Sequence, residues 1–362
     1  LAKSLSRSSL PHRREIFAGV LFLDIAGFTK ITETASKRGR YGVELVTGII
    51  NRHFSGTNRI ISAAGGEIFK FGGDSCLIIF PNMGPDAYLV LRQVADAITK
   101  QCSNLDTLFQ AKYGVSFALH GGCCAGKISI NILGDPAHHL DYYVDGAAIS
   151  RAYEIAEGQL GIALEESCFE ADPQIHDLSP VISARSRFSF LPAPVKTRLA
   201  GGALSAELRN ATVVFINLSS TQGDHILYDE YDRWFRQVQR FVYRYEGVVN
   251  KIDFTEKGYL ILLVFGVPVV HQDDIERAFI CATRITQIPS EHLEIRIGIN
   301  YSNIYVGTIG APSRWEYGII GNAVNIAARL MSSAEPGQIC ISREIIPKVQ
   351  LKFELAFVAN TK

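Results

Sequence analysis

Two aspartates in the first half of the chain stand next to apolar, strand-like segments. Asp24 ends the segment AGVLFLD, and Asp74 ends the glycine-rich turn FKFGGD, after which an apolar segment starts at Ser75. Carboxylates at neighbouring strand ends can hold divalent cations whose remaining ligands are phosphate oxygens. Either aspartate alone would also suit a turn or a helix cap. The pair, together with the glycine-rich turn, favours a metal site.

An amide and a guanidinium in the second half could serve the same chemistry. Asn325 and Arg329, in GNAVNIAARLM, are four residues apart on a predicted helix, so both side chains project from one face. Such a pair could orient a ribose and stabilise a crowded, negatively charged phosphoryl centre. A solvated helix face is the alternative for this pair taken alone. The other face of the predicted helix is apolar and carries Val324, Ala327, Ala328 and Met331.

The elements that must position these residues occur twice along the chain. Lys70 recurs as Lys251, an offset of 181 residues. In each copy a helical pattern, at 42–66 and at 228–247, ends on glycine and precedes a predicted β-hairpin. The order strand, helix, hairpin, helix, strand predicts an α+β sandwich with helices over one antiparallel sheet. The predicted divisions are a first domain at 12–172, a linker at 173–207 with a possible added strand at 187–191, and a second domain at 208–362.

Composition excludes several classes of partner and site. Lysine plus arginine and aspartate plus glutamate both number 36 among 362 residues, so no net charge recruits nucleic acid or an anionic membrane. Seven cysteines without a CxxC pair argue against a disulfide framework and a zinc site. The longest apolar stretch, 259–270, is interrupted by Gly266 and Pro268 and is too short to span a bilayer. We therefore expect a cytoplasmic protein that binds neither nucleic acid nor membrane.

Each copy of the repeat lacks part of the polar set. The second copy has Asn217 where the first has Asp24, and the first copy has Ser150 where the second has Asn325. Duplicated units that share one site can each discard half of it. A shared site would take its carboxylates from the first copy and its amide and guanidinium from the second.

The segments LFLDIAGFT, FKFGGD and GNAVNIAARL together resemble the class III nucleotidyl cyclases. The tandem arrangement in one chain is most similar to the soluble, bicarbonate-responsive adenylyl cyclases of that family. The resemblance implies two ferredoxin-like, palm-type domains in a pseudo-symmetric intramolecular pair, active as a monomer. It also implies that ATP is converted to 3′,5′-cyclic AMP and pyrophosphate at the domain interface. Guanylyl cyclase activity and an inactive nucleotide-binding regulatory module remain as alternatives.

The resemblance assigns the metal ligands and the transition-state residues. Asp24, Asp74 and the carbonyl of Ile25 would hold two Mg²⁺ ions, with Mn²⁺ or Ca²⁺ as substitutes. One ion would lower the pKa of the ribose 3′-hydroxyl, and the other would bind the triphosphate. Asn325 would hold the ribose, and Arg329 would offset the charge on the pentavalent phosphorus.

Purine recognition is expected at Lys251, because an ammonium can donate to adenine N1, whereas guanine N1 carries a proton. Gly318 stands where the family has an acceptor for the adenine amino group, so the backbone of Gly318 or Ile319 would substitute. We therefore expect ATP as the substrate, with weakened purine discrimination. The expected phosphate contacts are the amides of Gly27, Phe28 and Thr29 and the side chain of His120.

The degenerate second site, related to the first by the repeat, is expected to be non-catalytic. In bicarbonate-responsive relatives it holds the ion between a lysine and an arginine. Lys70 matches the lysine, whereas Tyr153 occupies the arginine position and Arg151 lies two residues away. Two interpretations of Lys70 remain open. It could bind bicarbonate or another small anion, or it could pair with a nearby carboxylate such as Glu67 or Glu154.

Overall fold

The structure is a computed structural model that describes most of the chain. No helix in the described part is both long and apolar enough to span a bilayer. The described residues are 13–27, 39–81, 83, 86–114, 116–157, 160–166, 189–200, 207–221, 226–255, 258–349, 353 and 356.

The first unit alternates strands and helices in the predicted order. A long strand precedes a helix, a hairpin, a second helix, a second hairpin, a third helix and a short final strand. These elements are β1 (Arg13–Ala26), α1 (Gly39–Ala63), β2 (Glu67–Phe71), β3 (Ser75–Pro81), α2 (Ala87–Tyr113), β4 (Ala118–Asp135), β5 (His139–Asp145), α3 (Ala147–Glu157) and β6 (Gly161–Leu164).

The second unit repeats this order after a short linker helix. The helices predicted at 42–66 and 228–247 are confirmed, with ends shifted by up to three residues. The domain boundaries themselves stay a prediction. The elements are α4 (Ala193–Ala200), β7 (Glu207–Ser220), α5 (Tyr228–Arg244), β8 (Val248–Thr255), β9 (Gly258–Phe265), α6 (Asp274–Thr286), β10 (Leu293–Ala311), β11 (Arg314–Ile320), α7 (Asn322–Ser333), β12 (Ile339–Ile341) and α8 (Ile346–Val349).

Each unit forms one largely antiparallel sheet, and the two sheets have the same strand order. In the first unit the order is β2-β3-β1-β4-β5, and β6 pairs in parallel with β4. In the second unit it is β8-β9-β7-β10-β11, and β12 pairs in parallel with β10. The predicted α+β class and the pseudo-symmetric pair of domains are therefore confirmed.

The apolar faces of α1 and α5 hold these helices on their sheets. Ile49, Ile50 and Phe54 of α1 are buried in the first core, and Trp234 and Phe235 of α5 are buried in the second. Apolar residues at intervals of three and four are the reason that both segments form amphipathic helices. Each such side chain contributes about 1.5–3 kcal/mol when it is buried. This packing fixes the sheets whose strand ends carry the candidate site.

Each domain inserts a hairpin into the core of the other. Leu133 and Tyr143, from the β4–β5 hairpin, are buried in the second domain's core, where the Tyr143 ring lies 5.2 Å from the Tyr259 ring. Reciprocally, Tyr305 and Ile309 from the β10–β11 hairpin join the first domain's core. The exchange ties the two domains into one molecule and sets their relative position.

Amide side chains of each domain form hydrogen bonds with backbone groups of the hairpin that the other domain inserts. Gln239 accepts a hydrogen bond from the Asp135 amide at 2.8 Å and donates one to the His139 carbonyl at 2.9 Å. In the reciprocal contact, Asn51 accepts from the Gly310 amide at 3.1 Å. Buried backbone groups that leave their own sheet need such partners. The register between the domains is therefore specified on both sides.

The linker contains the helix α4, which begins just after the segment in which the sequence suggested an added strand. Residues 187 and 188 of the suggested strand lie outside the described part, and Ser189 and Phe190 form a single 3₁₀ turn. The strand prediction is wrong for these two residues. Pro194 falls in the first turn of α4, where its missing N–H leaves no helical bond unmade. The proline pattern therefore favours the start of a helix here.

Candidate active site

Asp24 lies at the end of the central strand β1, between the ends of two neighbouring strands. It pairs with Ser75 on β3 and with His120 on β4. Asp74 directly precedes Ser75 in the turn between β2 and β3. The antiparallel register therefore brings both aspartates and His120 to one end of the first sheet, as the sequence predicted for the aspartates.

The two aspartates form a crowded, partly buried acidic pair. Burial and the nearby Asp24 carboxylate raise the pKa of Asp74 to about 7, although Lys251 acts in the opposite direction. Burial also raises the pKa of Asp24, while His120 and the Ile25 amide lower it. Such mutual repulsion would be relieved by a bound cation.

The donors at this site suit a hard divalent cation. Asp24 and Asp74 offer carboxylate oxygens and Ile25 offers a carbonyl, and oxygen ligands of this kind suit Mg²⁺, Mn²⁺ and Ca²⁺. Within the described ranges, no group of three or more His, Cys, Asp or Glu side chains could hold a metal by itself. A cation at the aspartates would therefore need further oxygens, which a nucleotide's phosphates can supply.

From the second domain, Lys251 reaches the turn that carries Asp74. A register shift between Val249 and Lys251 marks a bulge in β8, and a bulge changes the direction of the side chains around it. A Cβ atom built on Gly72 would lie 3.6 Å from the Lys251 ammonium nitrogen, so this side chain lies over the turn that carries Asp74. The ammonium also pairs with Asp253 at 2.6 Å. Residues of both domains therefore meet at one site.

Gly318 and Ile319 are buried in β11, close to the strand that carries the lysine. Asn250 on β8 donates from its side-chain amide to the Tyr317 carbonyl at 3.3 Å, which ties β8 to the backbone just before Gly318. A Cβ atom on Gly318 would lie 2.6 Å from Cδ1 of Ile309. A glycine is therefore favoured here by the close approach of a core side chain.

Asn325 and Arg329 lie on the exposed side of α7. Ala327 is fully buried on the opposite side, as the sequence predicted. The Asn300 side chain donates to the Ala323 carbonyl at 3.1 Å and so anchors the first turn of the helix. The one-sided arrangement of the two polar residues is confirmed, and their approach to the aspartates stays a prediction.

Gly27 is the described residue of the predicted phosphate-binding segment. It is exposed and has a φ of +73°, a left-handed conformation that favours glycine. Phe28 and Thr29 lie outside the described residues, so their contact with phosphate stays a prediction. His120, the other expected phosphate contact, is half-buried opposite Asp24.

Lys70 is buried at the contact between the domains. It is 5% exposed and pairs with Asp141 on β5 at 3.3 Å. Its ammonium donates to the Ile252 carbonyl of the second domain at 2.5 Å and lies 4.6 Å from the centre of the Tyr142 ring. The interpretation of Lys70 as a member of an ion pair is confirmed.

The prediction that Lys70 pairs with Glu67 or Glu154 is wrong. Glu154 pairs with Arg151 on the surface of α3, and Arg151 also pairs with Glu165. Glu67 is exposed, whereas Lys70 is buried, and a bulge at Ile68 separates their positions along β2. The true partner lies 71 residues further along the chain, on a strand that no local pattern relates to β2.

Sequence reasoning missed Asp253, Asn250 and Asp141. Asp253 was within reach of such reasoning, because side chains two residues apart on a strand share one face and Lys251 had already been selected. The Asn250 and Asp141 contacts join strands that are distant in the sequence. They depend on the way the domains fold and pair.

Comparisons with known proteins show a likeness to nucleotide cyclases. Residues 231–360 match the family model of the adenylate and guanylate cyclase catalytic domain. Adenylate cyclase type 10 from Homo sapiens is 25% identical over 88% of this chain, and that from Mus musculus is 26% identical over 87%. This chain spans 24% of the length of each of these relatives.

A solved structure supports the fold over most of the chain. It is a class III adenylyl cyclase-like ATP-binding protein from Pseudomonas aeruginosa, with a TM-score of 0.65 and 11% sequence identity. The match covers 96% of this chain and 88% of that one. At this identity the likeness shows the arrangement of the elements and nothing about activity.

Proposed function

Because residues 231–360 match the family model of the adenylate and guanylate cyclase catalytic domain, we propose that this chain is an adenylyl cyclase. It would convert ATP to 3′,5′-cyclic AMP and pyrophosphate between its two domains. The observation that carries the proposal is the position of Lys251, from the second domain, over the turn that holds Asp74 in the first. Because both domains belong to one polypeptide, the same arrangement supports activity as a monomer.

Asp24, Asp74 and the Ile25 carbonyl are the groups that would hold two divalent cations, Mg²⁺ or Mn²⁺. When bound, these cations would polarise the phosphates and lower the pKa of the ribose 3′-hydroxyl. The fit rests on the acidic pair itself, since burial and Asp24 raise the pKa of Asp74 to about 7. A site of this kind favours a cation.

The chain's own side chains account for binding and orientation. Lys251 would donate to adenine N1, and Asn325 would hold the ribose so that its 3′-oxygen faces the α-phosphorus. The 3′-hydroxyl would give up its proton to water while its oxygen forms the new bond to the α-phosphorus. The bond between the α-phosphorus and the oxygen that bridges it to the β-phosphorus breaks, and pyrophosphate leaves. Arg329 would offset the negative charge that grows on the phosphoryl group. His120, beside Asp24, would contact the phosphates.

Guanylyl cyclase activity is a second candidate, favoured by one observation. The Asp253 carboxylate lies 2.6 Å from the Lys251 ammonium. A carboxylate oxygen can accept a hydrogen bond from the N1–H of guanine, which a lysine ammonium cannot do. The ammonium nevertheless lies over the first domain's turn, 3.6 Å from a Cβ atom built on Gly72, and it suits adenine.

Product analysis with ATP and GTP in parallel tests the proposal. With Mn²⁺, the wild type is expected to release cyclic AMP and pyrophosphate, and its activity per chain should not fall on dilution. Asp24→Ala and Asp74→Ala should each abolish turnover, since one carboxylate cannot place both ions. Asp96→Ala, which removes an exposed aspartate on α2, is the matched control.

Three results would overturn the proposal. Cyclic GMP as the main product would favour the second candidate. Nucleotide binding without any product would indicate a regulatory module. Turnover retained in either aspartate variant would contradict the metal assignment.

A further inference from the structure

Lys251 shares its face of β8 with an acidic neighbour. Asp253 lies two residues along the strand, and its Oδ2 atom is 2.6 Å from the lysine Nζ. The two side chains are 21% and 17% exposed, so solvent screens the pair only in part. The position of the ammonium is therefore tied to the position of this carboxylate.

The Asp253 carboxylate is itself held in place. Its Oδ1 atom accepts a hydrogen bond from the Phe254 amide at 3.0 Å, while Oδ2 faces the lysine. A lysine ammonium has three N–H donors, and the pair with Asp253 occupies only part of that capacity. A long, flexible side chain thus has a fixed anchor and keeps donors for another acceptor.

Asp253 holds the Lys251 ammonium against the attraction of a second carboxylate, Asp74. The Lys251 nitrogen lies over the turn at Gly72, and its charge acts on Asp74 two residues further on. A lysine released from Asp253 could move towards Asp74, because opposite charges attract strongly in a partly buried site. That movement would withdraw the ammonium from a purine and place a cation beside the metal ligands.

Position 318 does not offer an acceptor that could take the place of the Asp253 carboxylate. Glycine there has no side chain, and a Cβ atom would approach Cδ1 of Ile309 to 2.6 Å. A carboxylate or hydroxyl acceptor could be introduced there only if Ile309 moved. The acceptor that the structure gives to the lysine is Asp253, on β8 itself.

We infer that Asp253 is a positioning residue that holds Lys251 for adenine recognition, so that purine preference depends on this pair. The inference rests on the proposed function, since it assumes that Lys251 meets the base. The ammonium that Asp253 holds in place would donate to adenine N1, which is an acceptor, whereas guanine N1 carries a proton. Loss of Asp253 therefore weakens the binding of ATP more than the binding of GTP.

Equilibrium binding tests the inference without requiring turnover. Fluorescent N-methylanthraniloyl derivatives of ATP and GTP are titrated against the full chain in the presence of Ca²⁺. Asp253→Ala is expected to raise the Kd for the ATP derivative about tenfold, the scale of one hydrogen bond to a charged group, with little change for the GTP derivative. Asp253→Asn, which keeps an acceptor oxygen, should lie between the wild type and the alanine variant.

A double-variant cycle separates positioning from a structural role. In a Lys251→Ala background, Asp253→Ala should cause little further loss of ATP affinity, because the aspartate acts through the lysine. Asp96→Ala is the charge-matched control, and thermal unfolding of every variant reports on folding.

The outcomes separate this inference from the proposed function. Equal losses for both nucleotides, no loss, additive losses in the cycle or an increased preference for ATP would each overturn the assignment of Asp253. If the wild type binds ATP but forms no cyclic AMP, the proposed activity fails while the binding data still decide the role of Asp253. If the wild type binds neither nucleotide, both are overturned.

Discussion

Lys70 of the first domain donates a hydrogen bond to the carbonyl oxygen of Ile252 in the second domain, at 2.5 Å. Ile252 lies between Lys251 and Asp253, so this bond fixes the strand that presents both side chains to the candidate site. The Lys70 charge is met by Asp141 at 3.3 Å. The lysine of the degenerate site thus supports the geometry of the other site.

Lys70→Ala is expected to destabilise the folded chain by about 3 kcal/mol, because it leaves a buried carboxylate without its cation. Burial already raises the pKa of Asp141, and the Lys70 charge opposes this effect. Urea denaturation near neutral pH measures the loss. The double variant Lys70→Ala, Asp141→Asn should recover part of it. A loss below about 1 kcal/mol in the single variant would match an exposed pair and contradict the buried contact.

Sodium bicarbonate is expected to leave the cyclase rate unchanged relative to sodium chloride at matched ionic strength and pH. The reason is that Asp141 already neutralises the lysine that an anion would need. The comparison is made for the wild type and for Lys70→Ala. Stimulation of the wild type alone would show that an anion displaces Asp141. Equal stimulation of both proteins would place the anion at another site.

The fold was largely predictable because its signals are local and occur twice. The apolar spacing of α1 and α5 and the hairpin patterns around Lys70 and Lys251 specify their elements without reference to distant residues. Comparing the copies then showed which polar residues each had lost. Asp24 and Asp74 were found because each stands at the end of a predicted strand.

The missed contacts depend on the exchange of hairpins between domains. Asp141 meets Lys70 because the β4–β5 hairpin lies against the second domain, where β2 and β8 also come together. Asn250 reaches the Tyr317 carbonyl across the second domain. No period in the sequence encodes contacts between strands so far apart. The linker strand was suggested only by the short segment at 187–191, and Ser189 and Phe190 of that segment form a 3₁₀ turn instead.

Arg329→Ala is expected to lower kcat by about 10²-fold and to leave the Kd for ATP nearly unchanged. The charge that this guanidinium meets is fully developed only in the transition state, so its loss affects turnover more than ground-state binding. Steady-state kinetics and equilibrium binding measure the two effects separately. Arg284→Ala, which removes an exposed arginine from α6, is the control. A variant that mainly raised KM would contradict this role.

Asp74→Asn is expected to stabilise the chain at about pH 8 and to have little effect at about pH 4 when no metal or nucleotide is bound. Burial and the Asp24 carboxylate raise the pKa of Asp74 to about 7 in the folded chain, from an ordinary value of 3.8. Between these values the folded chain keeps a proton that the unfolded chain has released. Stability therefore falls as pH rises through this window, and the whole penalty is present above it.

The asparagine variant cannot ionise and so escapes this penalty, which is on the order of 2 kcal/mol for a partly exposed group. Urea titrations in EDTA across the window measure the difference between the two proteins, with Asp96→Asn as a control that should show none. Adding Mn²⁺ and an ATP analogue should reverse the order, because a bound cation stabilises the carboxylate and not the amide. If the difference in the free energy of unfolding between the two proteins stays constant from acidic to alkaline pH, Asp74 titrates normally. The crowding by Asp24, on which the metal assignment rests, would then be contradicted.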